Sequence, residues 1–202
     1  MDRQEAMQRL NQMIGVELHS LAEDYGITIY RGGKVNKGWA GQVFERVLGL
    51  SINPVQAPDF GTWELKSIPL KTLKTGRLAL KETMAVTMID AKNVRQREFK
   101  DSHLLSKLKK AVVVVRTVGK TVDEPSYIHS VIKFDLSGFL YTAVKADYDL
   151  VQDTLLDPNK GFDALSGKMG VYIQPRTKGA GHGSITRAFY ARPKFLKEFI
   201  AL

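Results

Sequence analysis

Three residues carry the most definite chemistry in the chain: Asp59, Glu64 and Lys66, set as Pro58-Asp59 and, after a short gap, Glu64-Leu65-Lys66. Two carboxylates offer the hard oxygen ligands that suit Mg²⁺, and a metal so held neutralises a phosphate and lowers the pKa of its bound water. A lysine beside it can orient or deprotonate the attacking water and stabilise the charge that builds on the phosphate oxygens. That chemistry is phosphodiester hydrolysis, and many DNA-cleaving nucleases use the same set of acid, acid and lysine. Spacing alone decides little, because on the order of one loose match is expected by chance in a chain of this size.

The elements that hold these residues narrow the choice. Trp63 to Ile68 reads as an extended strand, so Glu64 and Lys66 leave the same face with Cα atoms about 7 Å apart, and Trp63 and Leu65 face the other way. Two ionisable groups on the face shared with Ile68 cost burial energy unless a partner is present, and a divalent cation held by Asp59 and Glu64 is such a partner. Glu45 lies in a predicted helix from about Gly38 to Leu48, capped by Asn36, with Trp39, Val43 and Val47 along one side. Glu45 is off that stripe. It reads either as a supporting acid or further metal ligand, with Gly41 one turn back leaving room for another element, or as an ordinary surface glutamate.

Along the rest of the chain, Met7, Leu10, Ile14, Leu18 and Leu21 recur at helical spacing and predict a helix over about residues 3–23. Gly32-Gly33 marks a loop. Pro69 and a turn at Lys74-Thr75-Gly76 follow the extended stretch, and Met84 to Ile89 reads as the returning strand. A short basic helix, about His103 to Lys110, leads into Ala111 to Val115, a buried central strand by its unbroken apolar run. Further predictions are a strand at Tyr127 to Phe134, a helix from about Ala143 to Leu156, a strand at Val171 to Gln174, a Gly-rich basic loop, and a final helix at Lys194 to Leu202. This alternation predicts a mixed α/β class.

Composition sets the limits. The 202 residues carry 30 Lys and Arg against 21 Asp and Glu, for a net charge of +9, and 44% of them are hydrophobic. That balance excludes disorder, collagen-like repeats and disulfide scaffolds. The absence of cysteine excludes thiol catalysis and thiolate metal sites and fits a reducing cytosol. The charged N-terminus and the lack of a long apolar run lead us to expect a soluble, cytoplasmic protein. From Lys168 onward seven cations face Glu198 alone, and Lys100, Lys107, Lys109 and Lys110 form a second concentration. Clustered cations favour a polyanion through counterion release, although a solvated basic face has the same composition. In the C-terminal stretch the cations alternate with Gly, Ser, Thr, His and Tyr, types that contact phosphates and base edges. Arg176, Lys178, His182, Ser184, Arg187, Arg192 and Lys194 are therefore the candidate DNA contacts. Asp59-Phe60-Gly61 lacks the companion motifs of a kinase, the four histidines lack metal-ligand spacing, and no nucleophile elbow is present.

Taken in order, these segments resemble the MutH strand-nicking endonucleases of methyl-directed mismatch repair and their GATC-cutting restriction relatives. The resemblance runs through Gly15-Val16-Glu17-Leu18, Lys37-Gly38-Trp39-Ala40-Gly41 to Glu45, Asp59-Phe60 with Glu64-Leu65-Lys66-Ser67-Ile68-Pro69, Ser102-His103 to Lys107, and Arg187-Ala188-Phe189-Tyr190 before Lys194-Phe195. It implies a restriction-endonuclease-like central sheet flanked by helices, in a single domain over residues 1–202 with two DNA-gripping arms. The N-terminal arm, about 1–110, would carry the active site, and the C-terminal arm, about 111–202, would carry recognition. It implies catalytic roles for Asp59, Glu64 and Lys66, with Glu45 an additional acid and Lys107 a required cation. Asp59 and Glu64 would hold Mg²⁺, and Tyr190 matches an aromatic linked to sensing adenine methylation. A MutL-like activator and a monomeric state are implied for a nicking enzyme. The gap from Asp59 to Glu64 is shorter than in MutH, Trp63 replaces a smaller apolar residue, Ser106 stands where histidine is usual, and the recognition loop is shorter and richer in glycine. Two alternatives remain open at this stage: a restriction enzyme cutting both strands, and a DNA-binding module without cleavage.

Overall fold

The N-terminal apolar stripe, predicted as one helix, is two helices in the computed structural model, which describes residues 1–50, 58–179 and 185–202: α1 (Arg3–Asn11) and α2 (Leu18–Asp24). The break has a hydrogen-bonding cause. Gly15, at φ +85°, donates its N–H to the Ile128 carbonyl at 2.8 Å, Val16 accepts from Ile128, and Leu18 donates to Ser126, so the chain leaves the helix to run beside residues 126–128. Leu10 and Leu18 are buried on either side of the break, whereas Ile14 is exposed within it. Next come β1 (Tyr30–Arg31) and β2 (Lys34–Val35), an antiparallel pair joined by Gly32-Gly33, both at positive φ as a two-residue hairpin turn requires. Helix α3 (Trp39–Val47) follows close to the predicted bounds, but its N-cap is Gly38 with no side-chain cap; Asn36, expected as the cap, instead accepts through Oδ1 from the Gly38 N–H at 3.2 Å, ahead of the helix.

The extended stretch is longer than predicted: β3 spans Glu64–Thr72 and passes through Pro69. The Pro69 carbonyl accepts from the Lys81 N–H at 3.0 Å just past the end of β4 (Leu78–Leu80), so the donor that proline lacks falls at the end of the β3-β4 ladder. β4 is the antiparallel partner that follows the turn. Met84 to Ile89, expected as the returning strand, instead forms β5 (Met84–Met88) in another sheet. After α4 (Ala91–Gln96) and α5 (His103–Leu108), β6 (Lys110–Val118) pairs parallel with β3, and β7 (Ile128–Asp135) follows. Helix α6 (Gly138–Leu156) begins five residues earlier than expected. β8 (Ile173–Thr177) begins later, because the Asp147 carboxylate takes the N–H groups of Val171, Tyr172 and Ile173 at 2.7 Å each. β9 (Arg187–Ala191) and α7 (Pro193–Lys197) close the chain, the last helix shorter than predicted.

The fold is mixed α/β, and its two compact units are each discontinuous in sequence. Residues 1–81 and 111–134, with residue 202, build a four-stranded sheet of order β4-β3-β6-β7 and the β1-β2 hairpin. Its core joins Leu10, Leu18, Trp39, Val43 and Phe44 to Trp63, Leu65, Val112 and Val114, so α1, α2 and α3 pack on the Trp63/Leu65 face of β3. Fully burying side chains of this size contributes about 1.5–3 kcal/mol each. Residues 82–110 and 135–201 build a three-stranded antiparallel sheet of order β5-β9-β8 with α4, α5, α6 and α7. There Tyr148 is buried between Phe99 and Phe189, and its hydroxyl donates to the Arg97 carbonyl at 2.8 Å. Among the described residues no helix is long and apolar enough to cross a membrane.

Glu17 fastens the start of α2 to the sheet. Its carboxylate accepts from the Ser20 N–H at 2.9 Å and the Ser126 N–H at 3.2 Å and faces His19 Nδ1 at 2.5 Å. Desolvation raises its pKa, but the hydrogen bonds from His19, Ser20 and Ser126 together outweigh it and bring the value down to about 2 from 4.5. A lowered folded-state pKa stabilises the fold above the unfolded value and loses that effect as pH falls toward the folded one. Glu17→Gln is therefore expected to cost about 1–2 kcal/mol at neutral pH. The gap to the wild type should narrow between pH 4.5 and 2. Urea denaturation across that range measures it, and a gap independent of pH would contradict the assignment.

Candidate active site

The strand that carries Glu64 and Lys66 is fixed by its neighbour. Parallel pairing sets Glu64 beside Ala111 and Lys66 beside Val113, within the run Ala111–Val115 that is buried throughout. Ahead of the strand, residues 58–63 form a tight turn: Gly61 sits at φ +73° and donates to the Pro58 carbonyl at 2.9 Å, and Phe60 donates to the Trp63 carbonyl at 3.1 Å. The Phe60 and Trp63 rings stack face to face, with centroids 3.9 Å apart and planes 3° from parallel. Trp63 is buried, so the large residue that stands before Glu64 is the one that locks the short connection closed.

That turn folds Asp59 back onto the strand. The Asp59 N–H donates to Glu64 Oε2 at 3.2 Å, and Asp59 Oδ2 accepts from the Leu65 N–H at 3.0 Å. Lys66 Nζ donates to Glu64 Oε1 at 2.6 Å. The three residues expected to form the catalytic core thus come together through direct hydrogen bonds. The Glu64 side chain is 2% exposed and that of Lys66 17%, so the carboxylate is held out of water and compensated by the ammonium and a backbone donor. Among the described residues no group of three or more His, Asp or Glu side chains could hold a metal ion. Two carboxylates fit a hard divalent cation that keeps water and substrate oxygens in its other positions, as Mg²⁺ does at phosphoryl-transfer sites.

The remaining candidates fall in different places. Glu45 lies half-buried on α3 in the same unit as the triad, and no described atom lies within 4 Å of where a Gly41 Cβ would stand. Lys107 lies in the last turn of α5 in the other unit and is buried, at 8% exposure. Of the C-terminal candidates, Arg176 and Tyr190 share a face of the β8-β9 ladder. The Arg176 guanidinium lies 5.4 Å over the Tyr190 ring and donates to Thr83 Oγ1 at 3.0 Å. Lys178 is exposed just beyond β8. Arg187 is on the opposite face, tied to the Leu165 carbonyl and Thr177 Oγ1 at 3.3 Å and lying 5.8 Å over the Phe162 ring. Arg192 donates to the carbonyls of Gly167 and Met169, and Lys194 Nζ lies 4.9 Å over the Tyr172 ring. His182 and Ser184 lie outside the described residues.

Comparison with known proteins meets this geometry directly. A family model described as "DNA mismatch repair enzyme MutH" matches residues 48–143, a stretch that contains Asp59, Glu64, Lys66 and Lys107. The DNA mismatch repair protein MutH of Vibrio cholerae serotype O1 (strain M66-2) is 26% identical over 198 residues, covering 96% of this chain and 87% of that protein. Over nearly its whole length the chain is similar to MutH proteins. MutH of Vibrio vulnificus (strain YJ016) is 26% identical over 196 residues, with 96% of this chain and 84% of that protein covered. MutH of Shewanella sp. (strain W3-18-1) reaches 41% identity over a 69-residue stretch, which is 33% of this chain and 30% of that protein. The MutH model begins just after Glu45 and ends before the C-terminal cations, so the turn and strand of the triad, not the basic strands, form the matched segment.

The hydrogen-bonded pair makes a stability prediction independent of catalysis. Lys66→Met leaves a buried carboxylate without its cation and is expected to cost roughly 2–4 kcal/mol in urea denaturation. The double variant Glu64→Gln/Lys66→Met should lose less than Lys66→Met alone, because no buried charge is then stranded. Strictly additive losses would show that the two side chains do not act as a pair.

Proposed function

We propose that this MutH-like chain is a Mg²⁺-dependent DNA endonuclease of mismatch repair, hydrolysing one phosphodiester bond at a short, adenine-methylation-sensitive site, GATC by analogy. The observation that carries the reading is the hydrogen-bonded set Asp59, Glu64 and Lys66, inside the segment matched by the MutH model. Mg²⁺ held by Asp59 and Glu64 supplies charge neutralisation at the scissile phosphate and a more acidic water. Asp59 and Glu64 are fixed for that role by the backbone bonds that join them, so little reorganisation is needed at the moment of reaction. Lys66 Nζ, held by Glu64 Oε1, orients the attacking water and donates to the charge that develops on the phosphate oxygens. Glu45 serves as an additional acid and Lys107 as a required cation.

In this reading the Arg176 and Tyr190 face of β8 and β9, with Lys178 at its edge, contacts DNA. Tyr190 reports adenine methylation under the Arg176 guanidinium, and Lys178 meets a phosphate. His182 and Ser184 belong to the same contact segment. Arg187, Arg192 and Lys194 brace the strands through carbonyl and ring contacts as well as adding positive charge. The protein acts as a monomer recruited by a MutL-like partner, in the cytoplasm.

Supercoiled plasmid, unmethylated or adenine-methylated at GATC, is the substrate that tests this. Incubation with Mg²⁺ and a MutL-like protein should give open circles whose nicks map to unmethylated GATC, with none in EDTA. Linear fragments with fixed ends would point instead to a restriction enzyme, and no cleavage would leave a binding module. Arg176→Ala and Lys178→Ala should each weaken duplex binding, with the salt slope reduced by about 1 for Lys178→Ala. Unchanged affinity and slope in both would remove the recognition assignment.

A further inference from the structure

Outside the triad and the basic strands, the first unit has a further charged concavity. An open hollow of about 500 Å³ lies between the end of α2, the β1-β2 hairpin and α3. Its lining includes four cations, Arg31, Lys34, Lys37 and Arg46, together with Asn36 and the half-exposed ring of Tyr25, and no carboxylate. Among the described residues none of the four cations is in an ion pair. The walls are preset. Asn36 donates through Nδ2 to the Thr28 carbonyl at 3.0 Å and to Gln42 Oε1 at 3.1 Å while its Oδ1 holds the Gly38 N–H, which ties the hairpin exit to the first turn of α3. The Gly32-Gly33 turn holds Arg31 and Lys34 opposite each other in register.

We propose that this hollow binds backbone phosphates of the DNA flanking the cleaved bond, as a contact site on the triad-bearing unit that is separate from the C-terminal basic strands. Like-charged side chains crowded around a concavity repel one another unless an anion joins them, and phosphates spaced along a strand match a row of cations on a hairpin edge and a helix flank. Arg46 directly follows Glu45 on α3, which places the hollow beside the helix that carries the additional acid. Tyr25 offers an aromatic face of the kind on which bases stack. The inference rests on the proposed DNA-cleaving function.

Duplex binding measured in EDTA over a range of salt concentrations tests it. Arg31→Ala/Lys34→Ala/Arg46→Ala should bind more weakly than the wild type, with a slope of log affinity against log salt shallower by about 2–3, and Arg31→Lys/Arg46→Lys should keep the wild-type slope. A wild type with a steep slope that the alanine variant retains, with the variant folded by circular dichroism, overturns the hollow alone. A wild type that binds no duplex overturns both the hollow and the endonuclease reading.

Discussion

Everything about the site follows from one buried carboxylate. Glu64 is almost fully removed from water on a strand paired with the most apolar segment of the chain, a position that costs several kcal/mol for an ion without partners. The fold meets that cost locally, with the Lys66 ammonium on one oxygen and the Asp59 N–H on the other. Because the partners lie within five residues of it, in one turn and one strand, the compensation is built in before any ligand arrives. The same bonds bring the second carboxylate back to the strand, so satisfying one buried charge assembles the whole set.

The turn that does this is short and is closed by apolar packing. Phe60 and Trp63 stack on the opposite side from Glu64 and join the core beneath α3, while Gly61 takes the positive φ the tight reversal demands. A smaller side chain at Trp63 would leave the connection without the stack that holds it shut.

Much of this was legible in the sequence, and the reasons differ from place to place. The triad, the face it shares with Ile68, α3, and the run Ala111–Val115 follow from period-two alternation, a helical stripe and an unbroken apolar run, all local signals. What was not legible depends on long-range partners. The break at Gly15 exists because Ile128 needs a backbone partner, β3 passes through Pro69 because that residue falls at the end of the ladder with β4, and Met84–Met88 pairs with β9 instead of β3. The late start of β8 comes from a carboxylate on α6. The β1-β2 hairpin did leave a signal, two glycines between short polar strands, which reads equally as a plain loop. Charge counting found the C-terminal cations but could not separate Arg176, beside Tyr190, from Arg187 on the opposite face, since that depends on the β8-β9 register. The cations around the hollow, scattered over 31–46 among mostly neutral residues, formed no run.

The central claim is that Asp59, Glu64 and Lys66 act as one catalytic unit, and single-turnover cleavage at saturating DNA tests it most directly because binding no longer limits the rate. With Mg²⁺ present, Asp59→Asn, Glu64→Gln and Lys66→Met should each slow the cleavage step by at least about a hundredfold while duplex affinity stays near that of the wild type. Rates within a few-fold of wild type in folded variants would contradict it and place the reaction elsewhere in the molecule.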